Sequence, residues 1–282
     1  MNDALGDRMK KNYENVSKTF LTRRMPVIIR LDGKAFHSFT RGFKKPFDEV
    51  FSDTMKKTMQ YLCRNIQGCV FGYTQSDEIS LLLVDYKNLN TDAWFNYATQ
   101  KCVSVAASMA TMAFNKYFSE FIDKFSEKNS ICHYDESGFC MHFNTIENEI
   151  RYGNYNIALD KGAMFDARIF NIPKEEVVNY FIWRQNDCYR NCINSVAQQL
   201  FTQSKIFGNS TAELRQMIGD TYKYEDWQLL GTSALKEFSG SAPTSIYVDG
   251  ISGMLNPGVY WELVSFDFKE NRNIIDKQFI FN

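Results

Sequence analysis

An α+β fold of the ferredoxin-like βαββαβ kind is predicted for this chain of 282 residues, and three observations predict it. Apolar runs of two-residue period alternate with longer stretches of helical period, in the order strand, helix, strand, strand, helix, strand, helix. The two middle strands read as a hairpin. An acidic residue ends the first strand and another sits at the hairpin tip, so a strand–helix–hairpin unit can bring both to adjacent strands.

The elements follow in order. Residues 3–22 read as a polar helix with Lys10, Lys11 and Lys18 exposed, ended by Arg23, Arg24 and Pro26. In VIIRLDG (27–33), Val27, Ile29 and Leu31 fall on one strand face and Ile28, Arg30 and Asp32 on the other. Gly33 then turns the backbone where a Cβ would obstruct. Residues 46–64 are predicted helical, with Pro46 early and Val50, Phe51, Met55, Met59 and Leu62 as the apolar stripe. VFGYTQSDEISLLLV (70–84) is the hairpin, with Ser76, Asp77 and Glu78 near its tip. A long helix is expected from Thr91 or Asp92 to about residue 118, its Ala and Ser residues permitting close packing on a sheet.

Residues 119–164 are less regular, with a hairpin in EIRYGNYNIALDKG (149–162). FDARIFNI (165–172) gives a strand, and 174–203 a helix with Val177, Val178, Phe181 and Ile182 on its apolar side. Beyond residue 204 come short helices over 213–218 and 227–238, a Gly/Ser/Pro-rich loop over 239–258, a strand in YWELVSFDF (260–268) and an extended tail. This predicts an N-terminal catalytic part, residues 1–140, and a C-terminal part, residues 141–282, that completes the sheet.

Composition excludes little but narrows the setting. Apolar content of 44% and charged content of 23% suit a soluble globule. No apolar run approaches a membrane span and the first residues lack the apolar core of a signal peptide, so a cytoplasmic protein is expected. Seven irregularly spaced cysteines fit reduced thiols better than a disulfide frame. Net charge is −1, but residues 1–64 hold 14 Lys/Arg against seven Asp/Glu. Lys34, Arg41, Lys44 and Lys45 surround Asp32, where they could attract phosphates; singly, each also reads as part of a solvated face.

The chemistry centres on Asp32 and Asp77. An Asp-Gly pair alone is usually a turn. Two acids on adjacent strands, with the Gly33 carbonyl, can hold two Mg²⁺ ions, the arrangement that moves phosphoryl groups. Glu78 points away from Asp77 along the strand, toward the backbone or Lys34. The N–H groups of Gly33, Lys34, Ala35, Phe36 and His37 can cradle a triphosphate, and Ser76 can add a hydroxyl bond. His37 reads equally as a catalytic group or a ring stacked on a base. Arg30, two residues from Asp32, could neutralise it, reach a phosphate or form a structural ion pair. Arg184, Asp187 and Asn191 share one helix face. Cys188 and Cys192, one turn apart, read as core-facing. Cys132, His133, Cys140 and His142 do not match zinc-site spacing.

RLDGKAFHSF, Lys44–Pro46, YTQSDEISLLL, FDARIFNIP (165–173) and WRQNDCYRN (183–191) together resemble, in order, the tRNA-His guanylyltransferase family and its bacterial and archaeal 3′–5′ RNA polymerase relatives. The resemblance implies a palm like that of polymerases and nucleotide cyclases, in which most of residues 119–164 is an insertion, since relatives pass more directly from the long helix to the FDAR strand. It implies Mg²⁺-dependent addition of nucleotides to the 5′ end of tRNA, from GTP, ATP or other NTPs, as template-directed 5′-end repair. It assigns metal to Asp32, Gly33 and Asp77, catalysis also to Glu78, Lys45 and Asn191, and the RNA 5′ end to Lys44, Arg184 and Asp187. It places Arg30, Gly33–His37, Ser76 and Lys101 at the nucleotide; where relatives carry a second basic residue one turn before Lys101, this chain has Ala98. Tyr189-Arg190-Asn191-Cys192 looks like the bacterial and archaeal branch. Relatives form dimers or tetramers, so a homo-oligomer is expected. Strict G addition to tRNA-His, a cyclase on the same palm, and a non-catalytic RNA-binding protein are the alternatives.

Overall fold

Alternation along the first strand sets the layering. In β1 (Val27–Gly33), Val27, Ile29 and Leu31 enter one apolar core and Ile28 enters a second. The computed structural model describes residues 3–135, 138–238 and 259–279. Its other strands are β2 (Cys69–Gln75), β3 (Glu78–Leu83), β4 (Ser130–Asp135), β5 (Gly138–Phe143), β6 (Phe165–Asn171), β7 (Thr232–Phe238) and β8 (Val259–Val264). Six of them form one antiparallel sheet, ordered β6-β1-β3-β2-β7-β8, and β4 pairs β5 separately. The first four positions of that sheet are the predicted βαββαβ palm, and β7 and β8 extend it.

The helices are α1 (Ala4–Met9, continued by a wider turn over Lys10–Glu14), α2 (Phe36–Phe39), α3 (Glu49–Asn65) and α4 (Thr99–Asn129). They continue with α5 (Ile146–Lys161), α6 (Lys174–Leu200), α7 (Gln203–Ile206), α8 (Thr211–Ile218), α9 (Asp226–Leu230) and α10 (Arg272–Phe279). Met55, Met59 and Leu62 of α3 and Ala106, Ala110 and Phe114 of α4 cover the Val27 face of the sheet. The alanines bring α4 close, as the sequence implied. Val177, Val178 and Phe181 of α6 cover the opposite face, with Phe268 and Ile275. The chain is thus helices, sheet, helix in three layers, with the strand ends free to carry a site.

Several expectations are corrected. The first helix ends at Glu14, not near residue 22. The helix after Pro46 starts at Glu49, because Asp48 caps it by accepting from Phe51 N–H at 3.1 Å. The long helix begins at Thr99, after left-handed Phe95 and Asn96 break the chain direction, and runs to Asn129. Residues 149–162 are not a hairpin: Tyr152, Tyr155, Ala158 and Leu159 recur at helical spacing and pack against the α4 core, so α5 forms, capped by Thr145. Gly153, which looked like a turn, sits on the open side with nothing within 4 Å of an added Cβ.

The 227–238 helix is also wrong. Gly231, at φ 71°, stops α9, and an added Cβ there would lie 2.5 Å from the Tyr73 hydroxyl. Residues 232–235 then pair with β2. The tail is not extended but forms α10, with Ile275 buried in the α6-side core. The Gly/Ser/Pro-rich loop of 239–258 and the side chains of Cys132, His133 and Cys140 lie outside the described residues.

Candidate functional site

The strand ends, α2, the start of α3, α6 and α9 enclose a cleft of about 470 Å³. Of the residues picked from the sequence, Gly33, Ala35, Phe36, His37, Lys44, Lys45, Ser76, Asp77 and Asn191 line it. Arg30, Asp32, Lys34, Glu78, Lys101, Arg184 and Asp187 do not.

Asp32 sits just behind the wall. It faces Glu78 across the β1–β3 ladder, and the next amide, Gly33 N–H, donates to Asp77 O at 3.1 Å. That bond ties the two predicted metal-bearing turns together. Gly33 is required on steric grounds: a Cβ would lie 2.3 Å from the Phe36 ring, which is fixed among Phe39, Phe114 and Phe165. Phe36 therefore serves the core with its ring and the cleft with its backbone.

The five-amide cradle is corrected to three. Gly33 N–H is spent on Asp77 and Lys34 N–H donates to Met164 O at 2.9 Å. Among the described residues, Ala35, Phe36 and His37 N–H have no backbone acceptor. They follow the turn at left-handed Ala35, φ 56°, and Ser76 at the hairpin tip is left-handed too, φ 49°. Non-glycine residues held so are strained and gather at functional sites. The Ser76 hydroxyl donates to Asp77 Oδ1 at 3.1 Å, so it steadies the carboxylate.

The three acids at these strand ends differ in their counter-charges. Glu78, 4% exposed, accepts from Arg184 Nε at 2.8 Å and pairs with Arg30 Nε at 3.3 Å. Neither the backbone nor Lys34 holds it, and Arg30 serves Glu78 and not Asp32. Burial pushes the Glu78 carboxyl up, against the pull of the two guanidiniums. Asp32 and Asp77 have no Lys, Arg or His within salt-bridge distance among the described residues. Burial first, and then the Asp32 charge, raise the Asp77 carboxyl above its ordinary range. Two crowded carboxylates without a protein cation suit a divalent, oxygen-seeking ion. The residues therefore fit the predicted metal.

On α6, Arg184 is inward-facing, 5% exposed, and also pairs with Asp187 at 2.8 Å. Asp187 in turn contacts Arg190 and Asn191, so the shared face is one linked network ending at the cleft-lining Asn191. Lys45 and His37 are exposed with no ion pair among the described residues, and Lys44 Nζ is 3.6 Å from Glu49. Lys101 is exposed and rests on the Phe95 ring at 4.4 Å. Cys188 and Cys192 line the cleft, but burial pushes both thiols up to about 12, which keeps them protonated.

Sequence reasoning missed Phe47, Asp48, Gln75, Ser195, Trp227 and Gln228, which also line the cleft. Asp48 was legible as a cap before a helix. Gln75 lies inside the quoted YTQSDE run. Trp227 and Gln228 carried no signal once their segment was read as part of a longer helix.

Comparison with known proteins agrees with this fold. A family model described as Thg1, tRNAHis guanylyltransferase, matches residues 6–173. An uncharacterized protein of Acanthamoeba polyphaga mimivirus is 30% identical over 230 residues, covering 77% of this chain and 70% of that protein. A probable tRNA(His) guanylyltransferase of Mus musculus is 26% identical over 182 residues, covering 63% of this chain but only 49% of its own length. A bacterial Thg1-like protein solved in complex with ATP superposes with a TM-score of 0.74 at 31% identity, covering 99% of this chain and 100% of its own. The Saccharomyces cerevisiae tRNA(His) guanylyltransferase shares the fold, with a TM-score of 0.59 at 18% identity over 80% of this chain and 91% of its own. On these matches and on the palm just described, the chain belongs to the Thg1, tRNAHis guanylyltransferase, family of nucleotidyltransferases.

Proposed function

We propose that this chain adds nucleotides in the 3′–5′ direction to the 5′ end of tRNA, in Mg²⁺, as template-directed repair of truncated 5′ ends. The observation that carries the reading is the pair Asp32 and Asp77: two carboxylates without a counter-ion among the described residues, on turns tied together by a backbone bond, with Asp77 lining the cleft that Ala35, Phe36, His37 and two lysines also line. The similar bacterial proteins solved with ATP and with GTP support a nucleotide as occupant.

Asp32, Asp77 and the Gly33 carbonyl would hold two Mg²⁺ ions. Bound there, they would make the incoming 3′-hydroxyl more acidic and neutralise the departing phosphate. The chain's own groups do the positioning. Ala35, Phe36 and His37 N–H hold phosphate oxygens. Lys44, Lys45 and the Asn191 amide face the RNA 5′ end, which is either a triphosphate or a monophosphate first joined to a mononucleotide from ATP or GTP with loss of pyrophosphate; its α-phosphorus accepts the 3′-oxygen of the incoming nucleotide as pyrophosphate or the mononucleotide leaves. The network behind Glu78 keeps α6 in register with the strand ends. Lys101 and Arg184 take no direct part.

The test is extension of 5′-labelled, 5′-truncated tRNA with each nucleotide in turn, beside intact tRNA-His. Templated additions that need Mg²⁺ and fall at least about 100-fold in Asp77→Ala are expected. Addition confined to a single G on tRNA-His replaces repair with strict G addition. A cyclic product from NTP alone, or no Mg²⁺-dependent turnover, overturns the proposal.

A further inference from the structure

The helix that the sequence concealed, α5, reaches the cleft indirectly, through the loop between α2 and α3. Lys44 and Lys45 sit on that loop, and both line the cleft. Residues 41–47 make one backbone–backbone hydrogen bond among the described residues, from Phe43 N–H to Thr40 O at 3.1 Å. A stretch so sparsely bonded along its own backbone is placed by the side chains that hold it. Side chains of α5 hold it on both sides of the lysines. Before them, Asn154 Nδ2 donates to Gly42 O at 3.0 Å; after them, the Tyr155 hydroxyl donates to Asp48 Oδ2 at 2.7 Å. Arg151 Nη2 donates to the Tyr155 hydroxyl at 2.9 Å and lies 3.5 Å from Asp48 Oδ2.

Both grips are built into the fold. Gly42 has φ 82°, and an added Cβ would lie 2.6 Å from Asn154 Nδ2, so a glycine lets the loop pass under that amide. Asp48 is 6% exposed. Its Oδ2 also accepts Lys44 N–H at 3.0 Å, and its Oδ1 accepts Phe51 N–H at 3.1 Å. One carboxylate thus joins the lysine loop, the start of α3 and α5. Tyr155 is fully buried, its ring meeting Phe43 edge to face at 4.9 Å and Phe125 of α4 at 5.2 Å. Arg151 supplies the counter-charge that the buried Asp48 requires, which a neighbouring lysine would otherwise have to provide. Lys45 is left without an ion pair among the described residues.

We propose that α5 is a clamp that positions Lys44 and Lys45 for the RNA 5′ phosphate, with Asn154, Tyr155 and Arg151 as its positioning residues. This rests on the reading of the two lysines at the RNA 5′ end given above. None of the three α5 residues lines the cleft; they act through Gly42 and Asp48. A lysine is a point charge on a flexible stem, so what it gains on a phosphate depends on where its backbone is held. Loosening the loop weakens recognition of the 5′ phosphate and leaves the rest of the tRNA contact as it was.

The experiment is equilibrium binding of 5′-truncated tRNA, carrying either a 5′-monophosphate or a 5′-hydroxyl, to the full chain. The wild type is expected to prefer the phosphate by at least about tenfold. Tyr155→Phe combined with Asn154→Ala removes both grips without emptying the core, and should bring that preference below about threefold, with the 5′-hydroxyl tRNA bound as before. Ala158→Gly is the control: it weakens α5 where the helix packs on the α4 core, so it should lower the melting temperature and keep the preference. A wild-type preference in the folded double variant, or an equal loss in Ala158→Gly, overturns this inference alone. Should the double variant not fold, Asn154→Ala by itself, at a half-buried site, should still lose at least about threefold of the preference, and keeping all of it overturns the inference. No preference in the wild type overturns it together with the reading of the lysines at the RNA 5′ end.

Discussion

Arg184 distinguishes a buried counter-ion from an RNA contact. The sequence resemblance put it at the RNA 5′ end, but in the fold its guanidinium is 2.8 Å from both Glu78 and Asp187 and is 5% exposed. Arg184→Met leaves Glu78 buried with only Arg30, at 3.3 Å. Removing one partner of a buried pair costs about 3–5 kcal/mol, and the remaining arginine holds the loss near the low end, about 3 kcal/mol. With an unfolding entropy of roughly 2.1 cal/mol/K per residue, that lowers the melting temperature of this chain by about 5 °C. The loss should grow as pH rises. Burial already raises the Glu78 carboxyl, and without Arg184 the folded state binds its proton still more strongly than the unfolded state does. Stability therefore falls as pH climbs above the ordinary carboxylate range. Glu78→Met added to Arg184→Met should restore at least half of the loss, since an apolar replacement removes the stranded charge. Thermal melts of the three variants at pH 5 and pH 8 give the readout. An unchanged melting temperature in Arg184→Met with weakened tRNA binding would refute the reasoning.

Two further outcomes are expected. Asp77 has a raised folded-state pKa through burial and the Asp32 charge, so the native state holds more protons than the unfolded one and, without metal, stability falls as pH rises past the usual carboxylate value. Asp77→Asn should flatten that slope and raise the melting temperature at pH 7–8, while Mg²⁺ should stabilise the wild type and not the variant. A metal-free wild type that gains stability with rising pH contradicts the assignment. Gly33→Ala places a Cβ 2.3 Å from the Phe36 ring, which is packed on all sides, so about 1–3 kcal/mol of stability and at least tenfold in nucleotide addition should be lost. Wild-type melting and turnover in that variant would show that the turn tolerates a methyl group.

What the sequence made legible was local. The alternation of Val27 to Asp32 predicts both sheet faces, because a strand's side chains must alternate. The hairpin tip and its acids follow from the same rule. Helix ends were poorer. Thr99 starts α4 only because Phe95 and Asn96 adopt left-handed backbone, which no periodicity announces. α5 was hidden by Gly153, a turn-favouring residue that lies on the open side of a helix held by Tyr155 and Ala158. β7 exists because β2 offers an unpaired edge, a long-range cause that the 232–238 segment does not encode by itself. Missing β7 and the true end of α9 hid the Trp227–Gln228 wall, so that half of the cleft could only come from the fold.

Pairing, and not mere proximity, separates the roles of the acids. Asp32, Asp77 and Glu78 all carry an acid to one end of the sheet, and all three would repel in a dry site. The chain answers only one of those charges itself, with Arg30 and Arg184 on Glu78. Had it answered all three, no cation would be needed; had it answered none, the strand ends would not pack. The answered acid does more than fill space. Arg30 leads from β1 to Glu78, Glu78 to Arg184 on α6, Arg184 to Asp187, and Asp187 to Asn191 at the cleft. A chain of ion pairs and charge-assisted hydrogen bonds with buried links resists sliding better than apolar contact, because losing a buried link strands a charge. It therefore fixes the distance between the strand ends that bear Asp32 and Asp77 and the helix face that bears Asn191. In a phosphoryl transfer that depends on holding two substrates in line, that distance is what the protein has to supply.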